Sequence, residues 1–217
     1  MTSASMSTMP ISEATWQYVG PEGIPVHGGA GRVNRVRLNP NNPQHWLVCA
    51  PSGGLWQSLD AGTTWEVLGV DALSPLGATD VWMDPDNNQH LWLATGDGNG
   101  GDTYSIGLLE TWDAGQTWLP LELAFEATQG RRIQTMAHHP TGLDTVLVAT
   151  DLGMFHTSNG GATFELVQSG SARDVVWMND STAVAAFENQ GVRRTTDGGQ
   201  TWMVADLPES NNSVGRI

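Results

Sequence analysis

The chain has 217 residues, enough for one domain of ordinary size or part of a larger one. With 39% hydrophobic and 15% charged residues it can build a core, which excludes a disordered chain. Its formal charge of −14 sets 23 acids against 9 bases, all of them arginine, and no basic patch is left for nucleic acid or an anionic membrane.

In chain order, residues 1–13 read as a flexible polar tail. Met1 to Pro10 carry no base, unlike a signal peptide. No apolar run approaches the roughly 20 residues that span a bilayer, so membrane insertion is not expected. Thr15-Trp-Gln-Tyr-Val-Gly20 repeats the pattern of Thr64-Trp-Glu-Val-Leu-Gly69 with no strands before it, and reads as a closing strand. Four units follow, at residues 31–70, 78–123, 131–168 and 172–207. Each opens with a short strand that ends on a Pro or Asn/Asp turn: Val33–Leu38, Asp80–Met83, Ile133–Ala137 and Val175–Met178. An apolar strand comes next: His45–Ala50, His90–Thr95, Thr145–Thr150 and Thr182–Phe187. Third strands start at Gly54, Gly107, Gly153 and Gly191. Residues 213–217 resemble the start of a further unit.

Third and fourth strands are joined by a repeated turn. It runs Ser58–Trp65, Thr111–Trp118, Thr157–Phe164 and Thr195–Trp202, with the pattern [Ser/Thr]-x-[Asp/Asn]-x-Gly-x-Thr-[Trp/Phe]. Asp60, Asp113, Asn159 and Asp197 are suited to accept amide hydrogen bonds within their own turns. Gly62, Gly115, Gly161 and Gly199 supply the positive φ that such a turn needs. Trp65, Trp118, Phe164 and Trp202 open the fourth strand and offer large apolar surfaces. This chemistry is structural. Four short strands per unit of about 40–50 residues predict an all-β fold, a β-propeller of four-stranded antiparallel blades. Four blades plus a closing strand read as part of a ring of about six to eight blades.

The turns match the Asp-box, or bacterial neuraminidase repeat, and the chain resembles Asp-box propellers. That set includes sialidases, xyloglucan-degrading glycosidases, sortilin-type receptors and photosystem II assembly factors. Trp16-Gln-Tyr-Val-Gly-Pro21, Gly31-Arg-Val33, Asn39-Pro-Asn-Asn-Pro43 and Ser52-Gly-Gly-Leu-Trp56 are similar to segments of large secreted proteins of Bacteroidetes-type bacteria. The resemblance implies an extracellular or cell-surface module without catalysis. It would bind a protein or glycan through the face opposite the Asp-boxes. The alternatives are a xyloglucanase- or sialidase-like glycoside hydrolase, and a subunit or cargo of a bacterial secretion or envelope assembly.

On that opposite face the longest loop is 96–105. Asp97, Asn99 and Asp102 offer it hard oxygen ligands for Ca²⁺, against the alternative of a flexible loop with a negative rim. No other cofactor is expected. Tyr104 sits in the same loop. Arg32, Arg131, Arg132 and Arg173 fall at the starts of first strands, where a carboxylate-bearing ligand could be clamped, or where acids such as Asp80, Asp151 and Asp174 would pair with them. The sialidase pattern is incomplete, since Gly31-Arg-Val-Asn34 departs from the family's Arg-Ile-Pro opening. Asp80 and Asp174 are the candidate catalytic carboxylates, with inert rim acids as the competing reading. The family's Gly-x-Asp falls on Thr79 instead. His27 lies in a loop expected on the same face. His138 and His139 lack the companions of a metal site. Cys49 cannot form an internal disulfide and reads as a small buried side chain.

Overall fold

The computed structural model describes residues 31–69 and 77–205. The chain divides into Met1–Ala30 and Gly31–Ile217, and all described residues belong to the second unit. The expected closing strand at 15–20, His27 and the start of a further blade at 213–217 lie outside the described residues.

The fold is the predicted one. Four antiparallel four-stranded sheets follow one another, each with its strands in chain order. The first holds β1 (Arg35–Asn39), β2 (Asn42–Ala50), β3 (Gly54–Ser58) and β4 (Glu66–Val67). The second holds β5 (Ala78–Met83), β6 (Leu91–Thr95), β7 (Gly107–Thr111) and β8 (Leu119–Ala124). The third holds β9 (Ile133–His138), β10 (Val146–Thr150), β11 (Gly153–Thr157) and β12 (Glu165–Ser169). The fourth holds β13 (Ala172–Trp177), β14 (Ala183–Phe187), β15 (Gly191–Thr195) and β16 (Met203–Val204). These are propeller blades. The first strands touch in succession, β1 with β5, β5 with β9 and β9 with β13, which makes them the inner strands.

The core lies between sheets. Leu47, Cys49 and Leu55 of the first sheet pack on Val81, Leu93 and Trp118 of the second. Trp92 and Leu108 of the second meet Ile133, Val146 and Val148 of the third. Leu147 and Met154 of the third meet Val175, Phe187 and Trp202 of the fourth. Each fully buried aliphatic or aromatic side chain contributes about 1.5–3 kcal/mol. Strands β6 and β10 are buried along their whole length because both their faces are covered, which explains their unbroken apolar runs. Val36 and Leu38 on the first sheet, and Val176 and Met178 on the fourth, stay exposed on the outward faces. A propeller packs its next sheets on such faces.

The repeated turn is a closed hydrogen-bond knot. In the second sheet Thr111 Oγ1 donates to Asp113 Oδ1 (2.7 Å) and accepts the Gly115 amide (2.9 Å). Asp113 also accepts from the Thr117 amide (2.8 Å) and hydroxyl (2.7 Å). Trp118 Nε1 donates to the Gly115 carbonyl (3.1 Å). The turns of Asp60 and Asp197 repeat this pattern. In the third sheet Asn159 makes the same knot with one donor reversed, its Nδ2 donating to Thr163 Oγ1 (2.9 Å).

Three of the turn glycines also stand against the preceding sheet. A Cβ on Gly115 (φ 87°) would lie 2.7 Å from Leu68 Cγ, one on Gly161 2.8 Å from Trp92, and one on Gly199 2.8 Å from Leu147. The turn aromatics follow the same geometry. Trp118 and Trp202 are buried in the cores shared with preceding sheets, while Trp65 is 39% exposed.

Three outcomes follow from the knot. Ala114 adopts a left-handed φ of 57° where the third and fourth sheets carry Gly160 and Gly198, both also at positive φ. Ala114→Gly is expected to stabilise the protein by about 0.5–1 kcal/mol, read from the denaturant midpoint. Gly115→Ala should cost roughly 1–3 kcal/mol by the same measurement, through overpacking against Leu68. The third outcome concerns acid. The Thr117 and Thr201 hydrogen bonds, foremost among several, draw the carboxyls of Asp113 and Asp197 from 3.8 down to about 2. A lowered folded-state value stabilises above the unfolded value, and the gain disappears as pH falls from about 4 to about 2. An Asp113→Asn/Asp197→Asn double variant keeps the knot, as Asn159 does. Its stability should therefore decline less steeply across that window in an acid titration of unfolding.

Candidate functional site

Asp80 sits at the inner strand of the second sheet. A register shift between Ala78 and Asp80 in the β5–β6 pairing leaves Ala78, Thr79, Asp80 and Val81 all buried. Matching shifts set Thr135 and Asp174 opposite the corresponding alanines, Ala149 and Ala186, as Asp80 is opposite Ala94. Asp80 is wholly enclosed. Its Oδ1 accepts from Arg37 Nε (3.1 Å) and the Val81 amide (2.9 Å), and lies 3.4 Å from Arg35 Nε. Its Oδ2 accepts from Arg37 Nη2 (3.0 Å), Thr135 Oγ1 (2.6 Å) and the Met136 amide (3.2 Å). Arg35 Nη2 donates in turn to Thr135 Oγ1 (3.0 Å). The carboxylate thus joins inner strands of three successive sheets. Its lone pairs are filled and it has no surface open to a substrate, so this candidate catalytic residue is neither a rim acid nor a reachable one.

Asp174 is half-buried and accepts from the Val175 amide (3.0 Å), as Asp80 does from Val81. Neighbouring Arg173 does not pair with it. Arg173, the unpaired residue at the register shift between Ala172 and Asp174, donates to Glu188 (2.6 Å).

At the loop end, Arg32 Nη2 bridges buried Asp97 and exposed Asp102, at 3.2 Å to the latter. Asp97 also accepts the amides of Asn99 (3.1 Å) and Asp102 (3.2 Å). Burial alone would raise its carboxyl. The Asp102 amide, Arg32 and the Asn99 amide outweigh it, and the net shift is downward. Asn99 Nδ2 reaches Asn34 Oδ1 (3.4 Å). The sequence grouped Asp97, Asn99 and Asp102 as a Ca²⁺ loop. In the structure a guanidinium lies between the two carboxylates that a dication would need, so the donor set does not fit calcium. Among the described residues no group of three or more His, Cys, Asp or Glu side chains converges as a metal site.

Arg131 stands 3.9 Å from Asp151, which also accepts the Arg132 amide (3.3 Å). Tyr104 is 45% exposed. Arg32, Arg131 and Arg173 therefore meet acids, whereas the Arg132 guanidinium lies beside Gly101 of the 96–105 loop, with its buried Nε unpartnered among the described residues. Arg32 and Arg173 are joined to different sheets, with Asp97 and Glu188 as their partners.

Sequence reasoning placed every site at this end. It passed over a cavity of about 370 Å³ at the opposite, turn-bearing end of the second and third sheets, lined in part by His138 and Trp112. His138 was legible only as one of a histidine pair before Pro140. Its position under a neighbouring sheet's tryptophan had no local signal.

No family model matches the chain, and neither does any curated protein. Solved structures do. An ancestral GH74 enzyme superposes with a TM-score of 0.67 at 19% identity, over 91% of this chain and 26% of that one. The GH74 xyloglucanase from Xanthomonas campestris gives 0.62 at 19% identity, over 83% of this chain and 31% of the enzyme. YCF48 bound to D1 peptide gives 0.55 at 18% identity, over 83% of this chain and 55% of that one. The chain thus spans about a quarter to a third of the GH74 chains it matches. At these identities the likeness establishes the β-propeller fold.

Proposed function

We propose that this chain is a non-catalytic Asp-box propeller module acting outside the cell, binding a protein or glycan through the loop end of its blades. One observation carries the reading: the best-placed carboxylate, Asp80, is enclosed and fully hydrogen-bonded. The loop end presents Tyr104, Asp102 and paired arginines as contact groups instead. YCF48, a propeller of related fold, is bound to a peptide in its solved structure, in keeping with a protein partner.

The likeness to GH74 enzymes favours a second reading, a glycoside hydrolase acting on a polysaccharide of the xyloglucan type. In that case Asp174, half-buried at an inner strand, is the carboxylate to follow. Incubation of the purified chain with xyloglucan and a sialylated glycan separates the two. The module reading expects no new reducing ends and no free sialic acid. Turnover that is lost in a folded Asp174→Asn variant would establish the enzyme. Asp80→Asn is expected to lower stability by about 3 kcal/mol in denaturant titrations, because it strips two guanidinium groups of a partly buried partner.

A further inference from the structure

At the turn-bearing end, the second and third sheets enclose the 370 Å³ cavity. Its walls are indole and carboxylate. Trp112 is 58% exposed and stacks one face on the His90 ring, 3.7 Å between centroids and 4° between planes. Much of its remaining surface is exposed. Trp82 stacks on His138 at 3.6 Å and 7°, and Trp92 meets the same ring edge-on at 4.9 Å.

The inner donors are already engaged. His90 Nδ1 lies 3.0 Å from Asp84 Oδ2 and its Nε2 2.9 Å from Glu110 Oε1. Trp92 Nε1 donates to the same Glu110 oxygen (3.0 Å). Glu110 makes these bonds through Oε1 alone, and Asp144 adds a third carboxylate to the wall. Both ring nitrogens of His138 are buried with no hydrogen-bond partner among the described residues. Burial, and then the charges of His90 and Arg37, push its pKa well below the ordinary value, so the ring is neutral, with one acceptor and one donor nitrogen unpaired among the described residues. A ligand donor would satisfy the unmatched acceptor nitrogen of this ring.

A sugar needs donors as well as acceptors from its site. Besides the His138 N–H, this wall presents mainly carboxylate acceptors, negative charge and π faces. A planar, donor-only cation answers all three. We propose that the cavity takes the guanidinium group of an arginine side chain presented by a partner peptide. The group stacks on Trp112 and donates to Glu110, Asp144 and His138. The chain's charge of −14 favours the approach of such a partner. The site lies at the opposite end of the blades from the loop-end surface and stands or falls independently of it.

The test is a titration of the whole chain with a short arginine peptide and with its citrulline counterpart, followed by tryptophan fluorescence and calorimetry. The arginine peptide should saturate at one equivalent, with roughly tenfold higher affinity than the citrulline peptide. Trp112→Ala should weaken it about tenfold, and Glu110→Gln by a similar factor. Trp112 is exposed, so its variant should keep the parent's thermal midpoint even if Glu110→Gln does not fold. Absence of saturation, equal affinity for citrulline, or indifference to Trp112→Ala in a folded protein would each overturn the proposal. So would saturable binding of a neutral oligosaccharide that Trp112→Ala removes.

Discussion

Asp113 accepts three hydrogen bonds from side chains and amides of its own turn, and Thr111 accepts the glycine amide that closes it. Such a turn satisfies itself. It asks nothing polar of its surroundings, so its glycine can press directly on an apolar side chain of the sheet before. The aromatic that follows is then aimed into the gap between the two sheets, as Trp118 and Trp202 show. Spacing between neighbouring sheets is therefore set by a local device at one end and by side-chain volume along the rest of the gap. Asn159 shows how much of the device is shape and how little is charge, since an amide sustains the same knot with one donor reversed.

The inner strands carry a different kind of tie. Asp80 gathers Arg35 and Arg37 from the sheet before and Thr135 and Met136 from the sheet after. A buried ionic group of this sort is a weak source of net stability, because its desolvation offsets much of the attraction. Its geometry is demanding all the same: the network forms only when three inner strands hold one mutual register. At the loop end Arg32 and Arg173 reach the exposed acids Asp102 and Glu188, whereas the turn end gathers indoles and carboxylates around a neutral imidazole. The two ends of the blades thus differ in chemistry as well as in topology.

Much of the architecture was readable in the residues because it is written locally. The four turns and the apolar second strands needed only short-range patterns, and the observed strands begin and end within a few residues of those positions. The site was less readable because its contacts are made between sheets. Nothing near Asp80 announces that a register shift will bury it beneath arginines some 43 residues away. Arg173 sits beside Asp174, yet at the register shift between Ala172 and Asp174 it reaches Glu188. The loop of Asp97 and Asp102 has the look of a cation loop, and it does hold a cation, but one supplied by Arg32 of the same chain. His138 reads as a turn residue, whereas β9 runs on to include it and a tryptophan of the neighbouring sheet covers its ring.

Each core in this fold belongs jointly to two sheets and to no sheet alone. In a ring built this way one added unit brings one new seam but narrows the angle at all the others, so the tolerance of each shared gap to a small change of angle sets how many units can close around one axis.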